Sequence, residues 1–137
     1  MSFMRSCCLV SLLAIAPLWF GCSGQDPNRG QITGLVEVDG QPAAEGAISF
    51  YPIDGNSAGS GGDIINGRYT VNANIGPSKV SINVPKVVGQ RKVYDTPDSP
   101  MVPITEEALP PQYNDKTTLT HDVQPGPNEK NFSLKTK

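Results

Sequence analysis

Cysteine is absent from this chain beyond position 22. The three cysteines are Cys7, Cys8 and Cys22, so no disulfide and no thiolate metal cluster can be built in the remainder. The single tryptophan, Trp19, also sits near the N-terminus. His121 is the only histidine, which excludes sites that need two or three imidazoles. Basic residues are few and scattered: 11 Lys and Arg face 13 Asp and Glu, and only Arg91 and Lys92 are adjacent. That distribution lacks the positive stripe a nucleic acid requires, so this partner class is dropped. Beyond the first twenty residues no window repeats its apolar positions at a helical period.

What is present begins with a short leader. Arg5 precedes an apolar run from Cys7 to Phe20, shorter than the ~20 residues of a membrane-spanning helix. This pattern is that of a secretory signal. Its end, Leu18-Trp19-Phe20-Gly21-Cys22, resembles the lipobox of bacterial lipoproteins, with Gly21 in place and Trp19 where a branched aliphatic residue is usual. The resemblance implies cleavage before Cys22 and acylation of that cysteine, palmitate included. More than one acyl chain gives stable anchoring rather than reversible binding. The expected organisation is a signal peptide over 1–21, a lipidated cysteine and flexible tether over 22–31, and one domain over 32–137.

The domain reads as strands. Gly34, Val36 and Val38 share a face with Glu37 opposite; Ile48 and Phe50 alternate with Ala47, Ser49 and Tyr51. Asn66-Gly67 between Asp63-Ile64-Ile65 and Arg68-Tyr69-Thr70-Val71 is a strong hairpin signal. Val80, Ile82 and Val84 point one way, Lys79, Ser81 and Asn83 the other. Leu119, His121 and Val123 alternate with polar residues, as do Phe132 and Leu134. Two segments look irregular. One is Ile53 to Gly62, hydrophilic and glycine-rich; the other is Pro85 to Thr118, with an edge strand expected around Lys86 to Tyr94. Glu106 to Leu109 is expected to form at most one short turn, stopped by Pro110 and Pro111. The prediction is all-β: about seven strands in an antiparallel sandwich.

The order Ile32-Thr33-Gly34-x-Val36, Asp39-Gly40-Gln41-Pro42 and Gly46-Ala47-Ile48-x-Phe50-x-Pro52 resembles the carboxypeptidase regulatory-like and transthyretin-like domains. Leu109-Pro110-x-x-Tyr113-Asn114-Asp115 and Val123-x-Pro125-Gly126-x-Asn128 look like a group of small secreted bacterial lipoproteins with that fold. The resemblance implies an Ig-like, prealbumin-type sandwich. One transthyretin-like branch hydrolyses hydroxyisourate, using a C-terminal Tyr-Arg-Gly-Ser and several histidines and arginines. This chain ends Leu134-Lys135-Thr136-Lys137, so the branch's carriers are missing.

No catalytic, metal or cofactor site is read from the residues. Asp54-Gly55-Asn56 opens like a calcium loop, but the fifth and twelfth positions are Ala58 and Ile65, so the oxygen ligands run out. Glu106 and Glu107, neighbours on an extended chain, read as solvated charge, and so do Asp39 and Glu45 in the first reversal. His121 reads as a half-buried or edge residue. Tyr113 is expected to dock its ring on the domain with its hydroxyl on a backbone group. The reading is a non-enzymatic, membrane-anchored envelope protein whose domain serves a structural or protein-interaction role, with envelope proteins or glycans as partners. The alternative is a carbohydrate- or peptide-binding module using the 53–62 and 86–111 loops. Its candidate contacts are Tyr51, Tyr94, Asp54 and Asn56.

Overall fold

The computed structural model describes Gly24 and residues 26–136. The signal peptide expected over 1–21 and the acylation expected at Cys22 lie outside these residues. No helix among the described residues is long and apolar enough to cross a membrane.

Eleven strands follow in chain order: β1 Arg29–Val38, β2 Gln41–Pro42, β3 Glu45–Pro52, β4 Ser60–Ile65, β5 Arg68–Asn74, β6 Gly76–Asn83, β7 Pro85–Lys92, β8 Met101–Glu107, β9 Thr120–Val123, β10 Gly126–Glu129 and β11 Phe132–Leu134. A 3-10 turn, Pro111–Tyr113, the single one among the described residues, precedes β9. The all-β reading holds. The strand count rises because the segment from 85 to 107, read from sequence as mostly irregular, is a two-stranded ribbon, and because the short β2 and β10 are added along β1. Glu106 and Glu107 belong to β8, and the short turn forms after the prolines rather than before them.

Two hairpins form where glycine permits left-handed backbone. Asp39 and Gly40 have φ of 53° and 81°, and Asn66 and Gly67 have φ of 49° and 77°. Two successive positive φ values define the I′ turn, whose twist matches that of the flanking strands. Val38 therefore pairs with Gln41 and Ile65 with Arg68.

The main sheet runs in the order β10-β1-β5-β4-β3-β6-β9, with β2 and β11 added along the second half of β1. Most neighbours are antiparallel, but β1 joins β10 and then β11 in parallel. Those two joins were not legible from the alternation of residues. Between β4 and β5 the ladder holds only at Ile65 and Arg68, so the sheet opens there and curls. The part carrying β1 and β5 folds over the part carrying β3 and β6.

Between them lies one core: Ile32 and Val36 from β1, Ile48 and Phe50 from β3, Ile64 from β4, Tyr69, Val71 and Ala73 from β5, Val80 and Ile82 from β6, with Val123, Phe132 and Leu134 closing it. Ile48, Phe50, Val80, Ile82, Val123, Phe132 and Leu134 occupy the inward registers that the alternation assigned, while Ile32, Ile64, Tyr69, Val71 and Ala73 join them through the fold. A chain of rings crosses the core, His121 to Phe50 to Tyr69 to Phe132, at centroid separations of 6.3, 6.4 and 6.3 Å. It links β9 at one margin of the sheet to β11 at the other, and so fastens the curl.

The crossing from β10 to β11 depends on Gly34. A side chain there would strike the Lys130 carbonyl, which approaches the β1 backbone directly. That carbonyl accepts a bond from the Tyr69 hydroxyl at 2.6 Å, and Lys130 N–H donates to Thr33 C=O at 2.9 Å. The buried tyrosine hydroxyl that meets backbone is thus Tyr69. Tyr113 is half-buried against the core, as expected of its ring, but the hydroxyl anchor is in the neighbouring sheet.

Candidate interaction surfaces

The strand directions place the 53–62 loop and the departure of residues 85–107 at opposite ends of the domain, while residues 114–117 return to the side of Tyr51. Arg29 opens β1 beside Asn74 and reaches Ser60 with its guanidinium at 3.3 Å. Ser60 pairs with Phe50 near the end of β3, so the loop after Pro52 lies at this N-terminal end. Asn83 closes β6 opposite Ala47, near the start of β3, so β7 departs from the other end. Tyr51, Asp54 and Asn56 therefore cluster at one pole, while Tyr94 sits at the tip of the ribbon leaving the opposite pole. The structure does not bring these four candidates together.

Within the first group, Asp54 is already engaged. Its Oδ1 accepts the Asn56 N–H at 3.0 Å, which makes a local side-chain turn. Among the described residues no group of three or more His, Cys, Asp or Glu is placed to hold a metal ion. Tyr51 is different: its ring is half-exposed (51%) on the outward face of β3. It lines a depression of about 300 Å³ with Lys79, Ser81, Asn114, Asp115 and Thr117. Lys79 stands directly across the ladder from Tyr51, and Ser81 opposite Ser49. Asn114 is buried, with its Oδ1 taken by the Asp115 N–H at 2.7 Å and its Nδ2 lacking an acceptor. Sequence reasoning found Tyr51 but not the polar residues around it, because they arrive from β6 and from the turn after Pro111.

His121 is half-buried on β9 with its ring edge-on to Phe50. Its Nε2 has no hydrogen-bond partner. Burial lowers its pKa, the Lys130 charge lowers it further, and Asp122 opposes both. Its ladder partner is the buried Ser78 of β6, and the ring packs against the core as a half-buried residue.

The ribbon is the most distinctive surface. β7 and β8 pair from Pro85–Glu107 to Lys92–Met101, with a bulge between Val87 and Gly89, and form a sheet separate from the main one. Val87, Val88, Val93, Tyr94, Met101 and Ile104 are all exposed on it, Tyr94 at 65%. A two-stranded ribbon has no second layer to cover such side chains. The edge strand expected around Lys86 to Tyr94 corresponds to β7, while β8 was hidden, since Pro100 and Pro103 break the look of a strand.

Its base is held by Glu107. One carboxylate oxygen, Oε1, accepts N–H groups from Val84 at 2.9 Å and Leu109 at 3.0 Å, while Oε2 accepts the Asn83 amide at 2.9 Å. The Ala108 N–H donates to Val84 C=O at 2.9 Å. Glu107, read from sequence as solvated charge, is instead the clasp where the ribbon leaves the sheet. Asp39 is exposed in its turn, as read, and gains a partner that the sequence did not announce. Its carboxylate takes the Thr136 hydroxyl at 2.6 Å and the Thr136 N–H at 3.1 Å, and these bonds hold its pKa below the usual carboxylate range.

No family model matches the chain, and no curated protein matches it. Among solved structures, a 9R-lipoxygenase from Cyanothece PCC8801 aligns with 80% of this chain at 13% identity and a TM-score of 0.40. The chain covers 16% of that enzyme's length. A likeness of this degree carries no argument about fold type or activity.

Proposed function

We propose that this chain is a non-enzymatic, lipid-anchored cell-envelope protein whose domain, a sandwich of the carboxypeptidase regulatory-like and transthyretin-like type, serves as a protein-interaction module. In this reading Cys22 carries the acyl chains and the residues up to β1 are the tether. The export signal puts the domain on the periplasmic or outer face of the membrane that holds it. The observation that carries the interaction role is the β7–β8 ribbon. It exposes six large apolar side chains on an element that packs chiefly on itself, and such exposure marks a contact surface. Its position at the pole away from Arg29 would present it outward from the anchor.

The test replaces residues 86–106 by a two-residue turn, which keeps the Glu107 clasp and is sterically reasonable because Pro85 and Glu107 face each other across the ladder. In vivo crosslinking with mass spectrometry is then run on both chains. A specific envelope protein crosslinked to the intact chain and lost from the ribbonless one is expected. Equal crosslinking of both would remove the ribbon from the interaction.

A second reading, glycan binding, is favoured by one observation: Tyr51 presents a half-exposed ring beside Lys79, Ser81 and Asp115. An aromatic face flanked by polar side chains suits a sugar ring. Retention on immobilised peptidoglycan fragments, abolished by Tyr51→Ala, would support it; unchanged retention would remove it.

A further inference from the structure

The ribbon has two outer edges, and they differ chemically. The Val93 N–H donates to the Pro100 C=O at 3.1 Å, which marks that pair as a hydrogen-bonded position of the ladder, with a single bond because Pro100 has no N–H. Antiparallel pairs alternate between exchanging and non-exchanging. Stepping inward, Lys92–Met101 is therefore non-exchanging, Arg91–Val102 exchanging, Gln90–Pro103 non-exchanging and Gly89–Ile104 exchanging. This parity accommodates Pro103, which has no N–H to give its partner. It also means that Met101 and Pro103 direct their backbone toward the free edge of β8, where proline leaves a gap. On β7 the backbone groups of Gln90 and Lys92 point outward with every donor intact. The edge of β8 is blocked at its centre, and the edge of β7 is open from the bulge at Val88 to Lys92.

Charge then selects the occupant. β7 carries Lys86, Arg91 and Lys92 and no acid. The acids elsewhere on the ribbon are Glu106, across from Lys86, Glu107, whose carboxylate is committed to the clasp, and Asp95 and Asp98 in the tip beyond the strand. Lys92 Nζ reaches the Thr96 carbonyl at 3.4 Å, so its charge stays at the distal end of the edge. Any near-complete antiparallel overlap of two β7 strands sets Lys86 of one copy near Arg91 and Lys92 of the other. Like charges directly opposite are destabilising, so a second copy is disfavoured. An extended segment bearing Asp or Glu meets the same three cations favourably. A lipid surface is disfavoured by position, since β7 leaves the domain at the end remote from Arg29, where the chain emerges from its tether.

We propose that the free edge of β7 accepts an extended acidic polypeptide segment as a third strand, recognised by the outward backbone groups of Gln90 and Lys92 and by the charges of Lys86, Arg91 and Lys92. The added strand would convert a two-stranded ribbon, marginal by itself, into the three-stranded sheet that pairs stably. This proposal rests on the interaction reading above and specifies the partner's chemistry.

The experiment titrates isotopically labelled full-length chain with acetyl-(Val-Glu)4-amide and follows backbone amides by NMR. The expected result is slowed amide exchange and shifts at Gln90 and Lys92, with acetyl-(Val-Lys)4-amide binding at least about tenfold more weakly. Gln90→Pro removes one outward donor and no bond within the ribbon, and should weaken the acidic peptide about tenfold. Arg91→Glu with Lys92→Glu should invert the preference between the two peptides while leaving the ribbon's fingerprint intact, which separates recognition from folding. Equal binding of both peptides, or shifts confined to other strands, would overturn the proposal. So would binding to phosphatidylglycerol vesicles that perturbs Tyr94 and Met101 but not the Gln90 and Lys92 amides, which would assign the ribbon to a membrane. Mutual shifts at β7 on raising protein concentration alone would assign it to self-association. If the peptide fails while crosslinking still depends on the ribbon, the interaction reading stands and the edge proposal falls.

Discussion

Glu107 closes the base of the ribbon by accepting the Val84 N–H at 2.9 Å, across the point where β6 ends and β7 begins. The same oxygen accepts Leu109 N–H, so one side chain satisfies two backbone donors that the departing ribbon would leave unpaired. Glu107→Ala is expected to cost about 1–3 kcal/mol and to loosen the ribbon before the core. Urea denaturation gives the first, and faster amide exchange across residues 85–107 checks the second. Unchanged exchange there would show that the ribbon is held without this carboxylate.

Tyr69 and Gly34 act as a pair at the crossing of the two parallel strands. Tyr69→Phe leaves the Lys130 carbonyl without its hydroxyl partner and is expected to cost about 1–3 kcal/mol. Gly34→Ala forces that carbonyl away from β1 and is expected to cost more than about 3 kcal/mol. The double variant should lose less than the sum, because the first displacement already breaks the bond the second removes. Thermal or urea unfolding of the three variants measures this directly.

Two groups make the domain weaker in acid, in separate ranges. His121 has a folded pKa below its ordinary 6.5, chiefly through burial, so the unfolded chain takes up this proton first. Stability should therefore fall as pH drops below about 6.5 and level off once the folded value is passed. Asp39 has a folded pKa below its ordinary 3.8, through its bonds to Thr136. Its contribution is present above 3.8 and is lost as pH falls through the folded value. Urea midpoints measured against pH should lose the upper step in His121→Gln and the lower step in Asp39→Asn.

Anchoring has its own test. Wild-type chain should partition with membranes and carry an acylated N-terminal cysteine by mass spectrometry, and Cys22→Ala should be released. A soluble, unmodified wild-type chain would remove the anchor from the proposed function.

Much of this architecture was legible in the sequence, for local reasons. Alternation assigned Ile48, Phe50, Val80, Ile82, Val84, Phe132 and Leu134 to the interior, since a strand of period two shows its buried face in any register. Asp39-Gly40 and Asn66-Gly67 declared their turns because few other residues accept successive positive φ. What escaped was non-local. Nothing in Gly126–Glu129 announces that it pairs in parallel with β1, and nothing near Tyr51 announces Asn114 or Asp115. The strand β8 escaped for another reason: Pro103 sits in a non-exchanging pair, where it costs the ladder nothing, yet it reads in sequence as a break. The Glu107 clasp and the Thr136 bonds of Asp39 are not legible, because a carboxylate's partners are set by the fold rather than by its sequence neighbours.

The parallel joins of β1 also set an order of events. Gly126 to Leu134 pair with Gly30 to Val38, so the last strands made are required to cover the first. Until they arrive, β1 keeps an open margin and Val36 lacks Phe132 beside it. Long-range closure of this kind is slow and comes late. Closure of the core therefore waits for the last strands of the chain, which pair with the first ones made. Removing residues 132–136 should accordingly harm the fold far more than the loss of five residues from a free tail.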